Sequence, residues 1–180
     1  SGVGLNPHYG TPGNPADRTR IPGGSSAGAA VAVADGMCDI AIGSDTGGSV
    51  RIPAALCGIM GFKPTQARVP RDGVMPLSLT ADTIGPLAKS VADLAAADAV
   101  MAGEAPRALA PRDIAGLRLA VPRASRLFDK LDASVAAAFE RALSVLAARG
   151  AHIVEFDMVD LFARLDAINA IGLISAVEAA

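Results

Sequence analysis

The chain has 180 residues and a formal charge of −2, with charges of both signs interspersed, so it can form one domain with a real core or a piece of a larger one. Half of it is apolar, but five Phe, one Tyr and no Trp leave little to stack on bases or sugars, and no basic stripe tracks phosphates. Direct nucleic-acid binding is therefore not expected. Nor is a membrane span, because no segment approaches the roughly 20 apolar residues that one needs.

Residues 1–22 are punctuated by Asn6-Pro7, Thr11-Pro12-Gly13-Asn14-Pro15 and Ile21-Pro22 too densely for regular structure. An extended loop packing over the following segment is expected, with His8 as a structural hydrogen-bonding residue. No charged leader with an apolar core opens the chain, so no signal peptide is expected. The chain begins without Met and stops inside the apolar run 171–180, which reads as an excerpt of a longer protein.

Ser25 or Gly24 can cap a helix over about residues 26–34, ended by Asp35-Gly36. Being small and apolar on every side, it should be buried. Residues 39–43 read as a strand with no polar face, as inside a covered sheet. Pro53 suits the first turn of a short helix over residues 54–57, stopped by Gly58. Residues 66–86 read as irregular, with Pro70, Gly73, Pro76 and Gly85-Pro86 as turn signals.

Ser90 can cap a helix reaching Met101 and ended by Gly103. A Pro- and Arg-bearing connection follows at 104–113, the best candidate for an internal boundary. The run of Arg107, Arg112, Arg118, Arg123 and Arg126 reads as a solvated surface. Residues 117–121 form a strand, and Asp132 caps a helix to Arg149 with Val135, Phe139, Leu143 and Leu146 on one stripe. Residues 152–156 form another strand, and 161–180 is helical in period, weakened by Gly172. The order gives an α/β fold class, a mixed β-sheet core covered by helices.

Two clusters of small residues stand out, Gly23-Gly24-Ser25-Ser26-Ala27-Gly28 and Gly43-Ser44-Asp45-Thr46-Gly47-Gly48-Ser49. Held apart by the helix and strand between them, they suit a site where main-chain N–H groups and hydroxyls converge on a substrate carbonyl. The first lacks the lysine of a phosphate loop, and the second does not match a dinucleotide fingerprint. Two lone histidines, His8 and His152, and two apolar cysteines, Cys38 and Cys57, make no metal site. No metal and no cofactor are expected. A serine nucleophile remains, and Ser49 after two glycines is the candidate. Neither histidine has an orienting carboxylate beside it in sequence, so a Ser-His-Asp triad is not favoured. The cysteines read as buried thiols, which points to a reducing compartment and a cytoplasmic protein.

The runs GGSSAGAAVAVADG and GSDTGGSVRIPAALCGIMGFKPT resemble the signature region of the amidase signature family of serine hydrolases, over about residues 20–65. The likeness continues weakly through Asp82-Thr83-Ile84-Gly85-Pro86 and carries no information past Gly103. The resemblance implies that residues 1–180 are part of a single amidase signature domain, with 20–65 as its core. It also implies a Ser–cis-Ser–Lys triad, with Ser49 as nucleophile and Ser25 as the serine after a cis peptide bond that relays the proton.

The same resemblance places the oxyanion hole at the main-chain N–H groups of Thr46, Gly47 and Gly48. Asp45 and Arg51 flank that turn and are read as holding its shape, with Ser26 supporting Ser25. The third member of the triad is a lysine upstream of the first cluster. Here the only lysines are Lys63, Lys89 and Lys130, all beyond Ser49, so residues 1–180 alone are expected to be inactive.

The activity implied is hydrolysis of a small-molecule amide to an acid and ammonia or an amine. A homodimer is left open. The alternatives are the glutaminase subunit of a tRNA-dependent amidotransferase, or a non-catalytic amidase-like fragment.

Overall fold

A computed structural model describes residues 1–123 and 125–179. They fall into two compact units, Ser1–Leu109 with Ile174–Ala180, and Ala110–Leu173.

In the first unit the order is α1 (Ala27–Ala34), β1 (Ile40–Asp45), α2 (Arg51–Cys57), β2 (Met60–Gly61), β3 (Thr83–Ala88) and α3 (Val91–Met101). The three strands form one sheet in the order β1-β3-β2, with β3 antiparallel to both neighbours. Ile40 faces Ala88 and Asp45 faces Thr83, so the end of β1 carrying Asp45 lies beside the start of β3. Ala30, Val31, Val33, Val50, Ala54, Cys57 and Leu87 form the core, with Ala41 and Ile59 packed against it. Small side chains on α1 and α2 let both helices lie close to the sheet.

Several sequence expectations are corrected here. Residues 83–88 are not irregular but form the central strand, buried along its whole length. Gly85-Pro86 misled because both are turn formers. A Cβ at Gly85 would clash with the Phe62 carbonyl oxygen, so the glycine serves close strand approach, and Pro86 still accepts from the Phe62 N–H at 3.0 Å. The second helix starts at Arg51 rather than residue 54, so Pro53 lies within the first turn, where a missing N–H strands no acceptor. Ser26, not Ser25 or Gly24, is the cap residue of α1, and no side chain caps that end. Nor is β1 covered on both faces, because Ile42 is 60% exposed.

Ser90 caps α3 as its sequence implies, its Oγ accepting from the Asp93 N–H at 3.1 Å. The short helix α6 (Ile174–Glu178) also belongs to the first unit. Glu178 accepts from the Ser78 hydroxyl and, at 3.2 Å, from the Thr80 N–H.

The second unit holds β4 (Arg118–Val121), α4 (Ala133–Ala148), β5 (His152–Glu155) and α5 (Val159–Asn169). The two strands pair in parallel, Arg118 against His152, with α4 as the intervening crossover element. Asp132 caps α4, accepting from the Ser134 N–H at 2.8 Å. Along the expected stripe, Phe139 meets Phe128 edge-on at 5.6 Å between ring centroids. Two of the arginines here are paired: Arg123 donates twice to Glu140, and Arg126 pairs with Asp166. The helix expected over 161–180 is two helices, broken at residues 170–173; Ala180 lies outside the described residues. Among the described residues no helix is long and apolar enough to cross a membrane.

Candidate active site

The two small-residue turns meet. The N–H of Ser26 donates to the Ser49 carbonyl at 3.1 Å, and the Ser26 hydroxyl donates to the Ser44 carbonyl at 3.3 Å. Ser25 and Ser49 therefore stand on neighbouring strands of main chain, joined through Ser26. The Gly24–Ser25 peptide bond is cis. Ser25 is exposed and Ser49 half-buried, and among the described residues neither hydroxyl makes a hydrogen bond.

The Ser25 turn is fixed from behind. The Gly24 N–H donates to the Gly2 carbonyl at 2.8 Å. The buried Asn14 amide donates to the carbonyls of Leu56, at 2.7 Å, and Ile21. Cys57 Sγ donates to the Pro22 carbonyl at 3.4 Å, and burial pushes its thiol up, with Asp35 adding to the effect. Cys57 is thus a neutral packing residue rather than a nucleophile. The leading loop does lie beside Ser25: Ser1, Gly4, Asn6 and Pro12 line with it an open depression of ≈ 360 Å³. His8 itself is exposed, and only its main-chain N–H is bonded, to the Asn6 side chain, so its expected structural role is not seen.

The Ser49 turn is built around Asp45, which has no exposed surface. Its Oδ1 accepts from the Gly48 N–H at 2.7 Å and from Arg51 Nη2 at 2.9 Å. Its Oδ2 accepts from Arg51 Nε at 3.0 Å and from the N–H groups of Val50 and Arg51 at 3.2 and 3.4 Å. Burial pushes the Asp45 carboxyl up, but the Arg51 guanidinium and the N–H groups of Val50 and Gly48 outweigh it and hold the group below its ordinary value. Gly48 has φ 122°, a conformation that favours glycine, and a Cβ there would meet Ile52 at 2.8 Å.

This arrangement changes the expected oxyanion hole. The Gly48 N–H is committed to Asp45, so it does not point into an open site. The N–H groups of Thr46 and Gly47 make no hydrogen bond among the described residues. Thr46 donates its hydroxyl to Asp82. Asp82, Asn14 and the Cys57 contact were not singled out by sequence reasoning. Only Asp82 left a trace there, in the Asp82–Pro86 run, which named no partner for it.

Lys63, in the same unit, donates to the Pro64 carbonyl at 2.9 Å, and Lys89 is exposed. No group of three or more His, Cys, Asp or Glu among the described residues could hold a metal ion.

Two serine-bearing turns, one entered through a cis peptide bond and the other tied by the buried Asp45 and its partner Arg51, are thus held together on an α/β fold. The family model Amidase matches residues 1–180, and the chain belongs to the amidase family. It is 45% identical over 161 residues to 2-amino-5-chloromuconic acid deaminase of Comamonas testosteroni, covering 87% of this chain and 35% of that protein. It is 48% identical over 148 residues to indoleacetamide hydrolase of Agrobacterium vitis, covering 82% and 31%. Among solved structures, a glutamyl-tRNA(Gln) amidotransferase subunit from Thermotoga maritima matches with a TM-score of 0.82 at 35% identity, over 93% of this chain and 39% of that one. The chain thus spans about a third of the length of these relatives.

Proposed function

We propose that the protein hydrolyses a small-molecule carboxylic amide to an acid and ammonia or an amine, through an acyl-enzyme on Ser49. The observation that carries this reading is the Ser26–Ser49 bond, which sets the two serine turns side by side in a chain of the amidase family.

Ser49 Oγ attacks the amide carbonyl carbon and its proton passes to Ser25, which hands its own proton to a base. The carbonyl electrons collect on oxygen, where the N–H groups of Thr46 and Gly47 serve as donors. Collapse breaks the C–N bond, and the departing nitrogen takes a proton back through Ser25. Water then attacks the ester and frees the acid. By this family's pattern the base is a lysine, acting in its neutral form. The lysines of residues 1–180 all follow Ser49, so none occupies the position that this family's pattern requires.

The steps above call on no metal or cofactor, and a cytoplasmic setting fits two free cysteines. A fluorophosphonate probe tests the reading: the full-length protein should be labelled at Ser49, and an unlabelled serine would end it. The likeness to the Thermotoga amidotransferase supports a second reading, in which glutamine is the amide and partner subunits receive the ammonia. Ammonia release from glutamine, measured with and without those partners, separates the two.

A further inference from the structure

Asp82 stands immediately before β3, 5% exposed, and the acyl-transfer steps above leave it without a role. Its two oxygens are divided between two segments. Oδ1 accepts from the Thr46 hydroxyl, while Oδ2 accepts from the N–H groups of Leu77 at 2.7 Å and Ser78 at 2.9 Å. Arg71 braces the same loop by donating to the carbonyls of Leu79 at 2.9 Å, Asp82 at 3.2 Å and Ser78 at 3.4 Å. Burial pushes the Asp82 carboxyl up, and the bonds from Thr46, Ser78 and Leu77 outweigh it and keep the group ionised.

A buried carboxylate that accepts from three donors cannot turn without stranding one of them. Asp45 holds the far side of the Ser49 turn, at Gly48, Val50 and Arg51. The near side has two tethers, the Thr83 hydroxyl donating to the Asp45 carbonyl at 2.9 Å and the Thr46 hydroxyl donating to Asp82, while Gly47 has no side chain and makes no hydrogen bond among the described residues. The Asp45–Thr46 peptide plane is held at Thr83, and the direction of the next N–H, that of Gly47, is set by the bond from Thr46 to Asp82.

We propose that Asp82 is a positioning residue for amide hydrolysis: it anchors the Thr46 side chain so that the main-chain N–H of Gly47 is preorganised for the oxyanion beside that of Thr46, and ties this turn to the loop at residues 71–79. That loop, with Ser44 and Asp82, walls an open depression of ≈ 380 Å³. This inference rests on the amide-hydrolysis reading. Donors that act on developing charge lower the barrier without tightening ground-state binding, so the effect belongs in kcat rather than KM.

The test uses the full-length protein and the variants Thr46→Val, Thr46→Ser, Asp82→Asn and Asp82→Ala. Thr46→Val keeps the shape and removes the hydroxyl; kcat should fall about ten- to a hundredfold, the worth of a hydrogen bond to a charged group, with KM within about twofold. Thr46→Ser should restore kcat to within about threefold of the parent.

Asp82→Ala should lose kcat at least as far as Thr46→Val, and Asp82→Asn less than Asp82→Ala, because its carbonyl can serve Leu77 and Ser78 while its NH₂ donates to Thr46. Adding Thr46→Val to Asp82→Ala should cost little more than Asp82→Ala alone. Parental kcat in Thr46→Val, or full additivity in the double variant, overturns the inference. Fluorophosphonate labelling separates the two levels. A parent unlabelled at Ser49 removes the amide-hydrolysis reading and this inference with it. A labelled parent matched in rate by Thr46→Val removes this inference alone.

Discussion

Asp45 shows how one side chain holds a turn. Five donors converge on its carboxylate, two from Arg51 and three from the main chain at Gly48, Val50 and Arg51. Replacing it with Ala leaves buried N–H groups at Gly48 and Val50 without an acceptor, so Asp45→Ala should lower stability by about 2–4 kcal/mol in urea unfolding.

Its pH dependence has a definite sign. A carboxyl whose pKa is depressed by folding contributes stability that is full above its ordinary value of 3.8 and is lost as pH falls through the lower folded-state value. Unfolding curves taken between about pH 6 and pH 2.5 should therefore converge for the parent and Asp45→Asn at the acid end. Curves that stay parallel would contradict the assignment. For the proton relay, Ser25→Ala should reduce kcat about 10²- to 10⁴-fold, the usual worth of a positioned proton-transfer group. Unchanged steady-state kinetics in that variant would remove Ser25 from the mechanism.

At the scale of elements, the site depends on β3 and on the helices that pack about the sheet. Leu87 is fully buried in the central strand, and Leu87→Ala should destabilise by about 2–5 kcal/mol. The cap of α3 gives a finer test: Ser90→Ala should cost about 1 kcal/mol, and Ser90→Gly only a few tenths.

The sequence signals that worked here were local. Ser90 and Asp132 were legible as caps because a hydroxyl or carboxylate before an apolar periodic run meets the free N–H groups of its own helix. β3 was illegible because its glycine and proline serve neighbouring strands, and such neighbours leave no mark within six residues of sequence. The same limit hid Asp82, whose partner Thr46 lies 36 positions away. It also hid the bond from the Gly48 N–H to Asp45, since nothing in the run Gly47-Gly48-Ser49 says which N–H turns back to that carboxylate.

Across the whole molecule, family membership could be read from about residues 20–65 alone, because two turns with fixed spacing are a stronger pattern than either by itself. The division into two compact units was harder to read, resting on one Pro- and Arg-rich stretch. Residues 104–113 are exposed throughout and lack helix or strand, so brief trypsin treatment should cut first after Arg107 or Arg112. A first cut after Arg51 would mean that the signature core opens more readily than the connection does.

The site itself is most directly tested by mass spectrometry of the full-length protein after reaction with a fluorophosphonate. A single adduct is expected on the peptide containing Ser49, absent from Ser49→Ala, which should also show no amide turnover. An adduct on another residue, or hydrolysis that survives in Ser49→Ala, would contradict the placement of the nucleophile.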